Sequence, residues 1–199
     1  GIFDVYKWSN YSGLNKPIDE LLSLVIQHRA FKGIRIRNRT KVRSHLKTTL
    51  INLFIASELS TNPFIGVSKN KSDYQSGSRN WKIFLSYDYL IPIINDLAEL
   101  GFVEQIKGSQ GTQLRTRIKA TQKLIDLIYE PRFSVRKAID SDGVLSIVCN
   151  HPQTKHDLIT LKDENDKPIS FKETKDIRLM KSHIEQINAK LKNTLITLK

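Results

Sequence analysis

At 199 residues, 39% of them hydrophobic and 26% charged, the chain is long enough for one large or two small folded domains. No apolar run approaches the ~18–20 residues of a membrane span and no signal-peptide core opens the sequence, so neither a membrane partner nor a secretory route is expected. The single cysteine, Cys149, excludes an intrachain disulfide and fits a reducing compartment, the cytoplasm of a microbe or else a nucleus.

The formal charge is +12, and its distribution matters more than its size. From His28 to Lys123 there are seventeen Lys or Arg against six Asp or Glu, a balance of +11. The remaining fifteen basic and fourteen acidic residues nearly cancel. Solubility needs no such segregation, whereas a surface that binds a polyanion does.

In chain order, Gly1 to Leu14 carries Phe3, Tyr6, Trp8 and Tyr11 without periodicity, as an arm packed on the body or the cut edge of a longer protein. Asn15, with Pro17 just inside, starts a helix whose apolar stripe is Ile18, Leu21, Leu22, Val25 and Ile26. From His28 to Lys47 there are eight Lys or Arg and no acid. Within that tract Ile34 and Ile36 alternate with Arg35 and Arg37, as in a short strand or an extended linker. Thr40 is the expected cap of a long helix through Leu59, and Phe64 to Val67 follows as a short strand. Residues 68 to 80 read as a polar loop.

Ser86 is a good N-cap, and Tyr87 to Leu100 puts Leu90, Ile93, Ile94, Leu97 and Leu100 on one stripe. Gly101 stands where a left-handed helix terminus is wanted. A strand from Phe102 to Lys107, a loop at Gly108 to Gly111 and a return strand from Gln113 to Ala120 complete a hairpin, with a closing helix from Thr121 to Tyr129. Glu130-Pro131 marks a boundary. Beyond it the expected elements are strands at Val144 to Cys149 and Asp157 to Leu161, then a turn at Asp163 to Asp166 paired back through Ile169 to Phe171. Thr174 caps a helix carrying Ile177, Met180, Ile184, Ile187 and Leu191, and Leu195 to Leu198 is a last strand.

The return strand sets Arg115, Arg117 and Lys119 on one pleat face, with Lys107 opposite, an arrangement suited to a phosphate backbone or, more plainly, to a solvated hairpin. Arg35, Arg37, Arg39, Lys41, Arg43 and Lys47 form the densest positive tract, and their lack of interspersed acids favours nucleic-acid contact over an ordinary charged face. Lys69, Lys71, Arg79 and Lys82 make a second basic-aromatic loop around Tyr74 and Trp81, suited to touching a backbone or stacking on an unpaired base. The helix after Ser86 has no Lys or Arg; Tyr87, Tyr89 and Asn95 are its candidates for base edges, and its three acids would be repelled by phosphate.

No catalytic residues, metal ligands or cofactors are expected. Cys149, His151 and His156 lack the second ligand pair of a zinc site, and no phosphate-binding glycine loop or nucleophile elbow is present. The reading is of a non-enzyme.

The segment Leu97-Ala98-Glu99-Leu100-Gly101-Phe102-Val103-Glu104, the glycine turn, and Arg115 to Thr121 (Arg-x-Arg-x-x-Ala-Thr) together resemble the winged-helix DNA-binding superfamily, over roughly Thr40 to Tyr129. The resemblance implies a recognition helix after Ser86, a wing from the hairpin, and double-stranded DNA as partner. The order of that unit, the later hairpin and the Met180 to Asn188 helix is more distantly similar to amino-terminal regions of plasmid- and phage-borne proteins, some associated with replication.

The expected architecture is therefore α+β: an arm and first helix over 1–39, a winged helix-turn-helix domain over 40–130, and a small β-hairpin plus helix domain over 131–199. The expected function is duplex DNA binding in replication or maintenance of a mobile element. Two alternatives stay open. One is a transcriptional regulator dimerising through the Ile177 to Leu191 helix, which could otherwise dock on the remainder of a larger replication protein. The other is a protein-interaction module with non-specific nucleic-acid affinity.

Overall fold

The computed structural model describes residues 13–58, 62–78, 85–108, 115–139, 141–142, 145–149 and 157–160. The expectations at Arg79, Lys82, the wing tip, His151, His156, and every element from Asp163 onward, including the Ile177 to Leu191 helix, lie outside these residues.

Helix α1 (Asn15–Phe31) tolerates Pro17 because it falls in the first turn, where the missing N–H has no intrahelical acceptor. Its buried stripe is Pro17, Ile18, Leu21 and Val25. Gly33, at φ +73°, closes it: the Gly33 N–H donates to the Ala30 carbonyl and the Ile34 N–H to the Arg29 carbonyl, the paired bonds of a Schellman terminus.

Helix α2 (Arg39–Glu58) starts two residues earlier than a Thr40 cap implies. Asn38, not Thr40, caps it, its Oδ1 accepting from the Lys41 N–H at 3.0 Å. A cap needs only the local backbone and one short side-chain acceptor, and Asn38 supplies it between two arginines. The run over residues 34–36 pairs with no strand among the described residues and is a linker between α1 and α2.

Strand β1 (Phe64–Val67), a 3-10 turn (Lys71–Tyr74) and helix α3 (Tyr87–Glu99) follow. The α3 stripe is Leu90, Ile93, Ile94 and Leu97, as read from periodicity, with Asp96 buried beside it. Gly101, at φ +80°, ends it in a second Schellman terminus, in which Gly101 N–H donates to Ala98 and Phe102 N–H to Leu97. Strands β2 (Val103–Ile106) and β3 (Thr116–Ala120) form the hairpin, and helix α4 (Gln122–Ile128) returns. Lys123 donates to the Leu100 carbonyl at 2.7 Å, a cation at the negative end of α3.

The first sheet runs β1-β3-β2, antiparallel throughout, with Arg117 opposite Gly66 on one side and Ile106 on the other. A second antiparallel sheet runs β4 (Val135–Ile139), β5 (Leu145–Cys149), β6 (Asp157–Thr160). Strand β4 was not anticipated, since Val-Arg-Lys-Ala-Ile alternates too weakly to announce itself. Phe133, Val135, Ile147 and Cys149 belong to the same buried apolar cluster as α1, α2, α3 and the first sheet. The described residues thus have an α+β architecture. None of their helices is long and apolar enough to cross a membrane.

Candidate nucleic-acid interface

Strand β3 alternates as its sequence demands. Thr116, Ile118 and Ala120 face the core, which leaves Arg115, Arg117 and Lys119 on the outer face. These three cations are not equivalent. Arg115 is exposed. Arg117 is half-buried, its guanidinium 5.4 Å from the Phe64 ring centroid, and its Nε has no hydrogen-bond partner among the described residues. Lys119 also lies over Phe64 and reaches Glu104 across the hairpin at 3.6 Å.

Two further lysines join the hairpin from other elements. Lys107 is exposed just after β2, and Lys69 follows β1. Partial burial, and then the nearby Lys107 ammonium, hold the Lys69 amine below its usual range. Two like charges brought within electrostatic reach cost free energy unless an anion joins them. Lys71, two residues on, ion-pairs at 3.4 Å with Asp88 in the first turn of α3. Tyr74 anchors the same loop, its hydroxyl donating to the Ser68 carbonyl at 2.8 Å while its ring meets Tyr87 edge-on. Burial, with Asp73 and Tyr87 adding to it, pushes the Tyr74 hydroxyl up to about 12, so it stays a donor at neutral pH.

From the other side, α2 reaches the same turn of α3. The buried His45 donates from Nδ1 to the Lys41 carbonyl at 2.7 Å and accepts from the Ser86 N–H at Nε2, 2.9 Å away. Ser86 does stand at the N-cap, yet its own side chain makes no capping bond; the imidazole of another helix supplies an acceptor there. Tyr89 stacks on His45, and the Lys41 ammonium lies 5.0 Å from the Tyr89 ring centroid.

This arrangement requires a neutral imidazole, because a second ring proton would face the Ser86 N–H. Burial holds His45 below its usual value, outweighing the opposing pull of the Lys41 carbonyl, while the Lys41 charge lowers it further. The unfolded chain therefore binds the proton more readily than the folded one. His45's contribution to stability should be complete above pH ~6.5 and shrink as the pH drops below that value. Urea unfolding between pH 5 and 8 tests this. His45→Ala should cost about 2–3 kcal/mol at pH 7.5 and show a weaker pH dependence in that window. An unchanged slope would remove His45 as its source.

All three acids of α3 are engaged. Asp88 has Lys71; Asp96 accepts from Arg29 Nε at 2.6 Å; Glu99 pairs with Lys32 and lies 2.6 Å from His28 Nε2. Lys32, and then His28, hold the Glu99 carboxyl below the ordinary range. The repulsion expected between this helix and phosphate is thus offset by cations from α1 and the 3-10 turn. His28, Asp96 and Glu99 also bring three ligand atoms within 4.8 Å of one another. Arg29 and Lys32 already neutralise those carboxylates, so the cluster reads as a helix–helix tie.

The basic tract splits in two. Arg35, Arg37, Arg39 and Lys41 are exposed. Arg35 and Arg37 lie on the linker and Arg39 and Lys41 in the first turn of α2; Lys32 on Glu99 and Lys41 over Tyr89 fasten this stretch on either side to α3, a helix that has no Lys or Arg of its own. Arg43 and Lys47 differ. At ~100° per residue they lie on the side of α2 opposite Lys41. Arg43 donates to Asp19 of α1 at 2.7 Å, and Lys47 is half-buried, its amine held low by burial and then by Arg43. Of the expected base-reading side chains, Asn95 is exposed, whereas Tyr87 and Tyr89 are half-buried against Tyr74 and His45.

No protein-family model, curated protein or solved structure matches the chain.

Proposed function

We propose that the chain is a winged-helix module that binds double-stranded DNA, with the first turn of α3 at the centre of its interface. The sheet order β1-β3-β2, with α2 before it and α3 leading into the β2-β3 hairpin, supports the winged-helix reading. The observation that carries the DNA reading is a set of lysines drawn from three segments: Lys41 of α2 over Tyr89 and Lys71 of the 3-10 turn on Asp88, both at the first turn of α3, with Lys69 close to Lys71 in sequence and within electrostatic reach of Lys107 after β2. Arg115 and the Arg35, Arg37, Arg39 linker extend that positive surface on either side. Backbone contacts supply most of the affinity, and Asn95 with the wing tip supplies what base selectivity exists. Replication or maintenance of a mobile element is the setting that the sequence's distant resemblance to plasmid- and phage-borne proteins implies.

Gel shift of a random-sequence duplex tests the reading. With six to ten phosphate contacts, affinity should drop ~10³–10⁵-fold between 50 and 200 mM salt. Weak retention that ignores salt would instead favour a module that binds protein.

A further inference from the structure

Phe31 is 96% exposed and Ile34 51% exposed, the large apolar side chains left in water among the described residues. Both belong to the closure of α1. The Schellman terminus of α3 folds its equivalent residue, Phe102, into the core against Leu97, the apolar contact that usually accompanies this motif. At α1 the corresponding pair is Ile34 and Arg29. Arg29 is committed to Asp96, so Ile34 has no apolar partner there. Ile36, two residues on, packs against the core cluster and anchors the linker from beneath. The result is a turn that carries two exposed apolar side chains, followed in sequence by the exposed Arg35, Arg37 and Arg39, with no acid from Leu21 to Ser57 and Lys32 already paired with Glu99 of α3.

We propose that Phe31 and Ile34 form a wedge that enters between base pairs from the minor groove and kinks the duplex, while Arg35, Arg37 and Arg39 hold the flanking phosphates. This rests on the reading of the chain as a duplex-binding module and assigns to the linker the deformation of the DNA. A cationic collar suits a polyanion, and an apolar tip suits the gap opened between unstacked base pairs. Two side chains on a tight turn make a narrow point for a base step but a poor anchor for a bilayer, which needs a broad apolar face.

Ligase-mediated cyclisation of a random-sequence fragment of about 100 bp, shorter than the ~150 bp persistence length, reads kinking without a known target site. The intact chain should speed ring closure about tenfold, and Phe31→Ala with Ile34→Ala should lose that gain while duplex affinity changes less than about threefold. Phe31→Leu, which keeps an apolar wedge, should restore most of the gain. Both side chains are exposed, so an unchanged melting temperature separates this effect from misfolding. Ring closure that is equal with and without the two side chains overturns the wedge and leaves duplex binding standing. A chain that retains no duplex overturns the binding reading itself. If the double variant loses flotation with phosphatidylserine vesicles while cyclisation persists, the two residues serve a membrane surface, and the wedge is overturned.

Discussion

Asp96→Ala should destabilise the protein by about 3 kcal/mol, and its melting temperature should drop by roughly 6–12 °C. Asp96 on α3 and Arg29 on α1 meet at 2.6 Å with side chains only 9% and 12% exposed, and one Arg29 nitrogen is buried without a hydrogen-bond partner among the described residues. Removing the carboxylate strands a guanidinium that can neither reach water freely nor shed its proton. The cost comes from the orphaned charge, not from a large net attraction in the native pair. Replacing both residues, Arg29→Met with Asp96→Leu, should therefore recover most of the loss. Urea unfolding of the two singles and the double checks this. A single variant within about 0.5 kcal/mol of the parent would mean that water solvates the pair after all. The neighbouring contacts of Glu99 with His28 and Lys32 are exposed and serve chiefly to orient the helices.

Replacing Lys69, Lys107 and Arg115 together by Ala should weaken duplex binding roughly 10²–10³-fold near 0.1 M salt and make the slope of log K against log salt shallower by ~2.7. Each phosphate contact releases one condensed counterion, so affinity and slope must change together. The residues come from the ends of β1 and β2 and the start of β3, and Lys69 already feels Lys107. Arg43→Ala with Lys47→Ala is the matched control. It removes two cations from the opposite side of α2, and the slope should move by less than ~0.5. If the control weakens binding as much as the triple change, the interface lies on the α1–α2 face and the hairpin loses its assigned part. Fluorescence anisotropy across a salt series reads both quantities.

Much of the fold was legible because it depends on local chemistry. Gly101 ends α3 because a left-handed residue must follow Leu100, and the 3.6-residue stripe of Leu90, Ile93, Ile94 and Leu97 faces the core as periodicity requires. The alternation of Thr116, Ile118 and Ala120 with Arg117 and Lys119 likewise assigns the two faces of β3 by side-chain period alone. Local rules failed where tertiary partners intervened. Ser86 makes no side-chain capping bond, and its own N–H is held by His45, forty-one residues away. Arg29, Lys32 and Lys71 quench the three acids that made α3 look hostile to phosphate.

Charge shows the same division. Composition alone settled that positive residues crowd between His28 and Lys123, since counting needs no coordinates. It could not say that Arg43 would pair with Asp19 of α1 while Lys41 lies over Tyr89 of α3, or that Lys69 would come within electrostatic reach of Lys107. Side-chain period determines the face a residue takes within its own helix or strand, and the chain carries that period in its order. Only packing decides which faces end up as neighbours, because distances between elements depend on how every apolar stripe is buried at once.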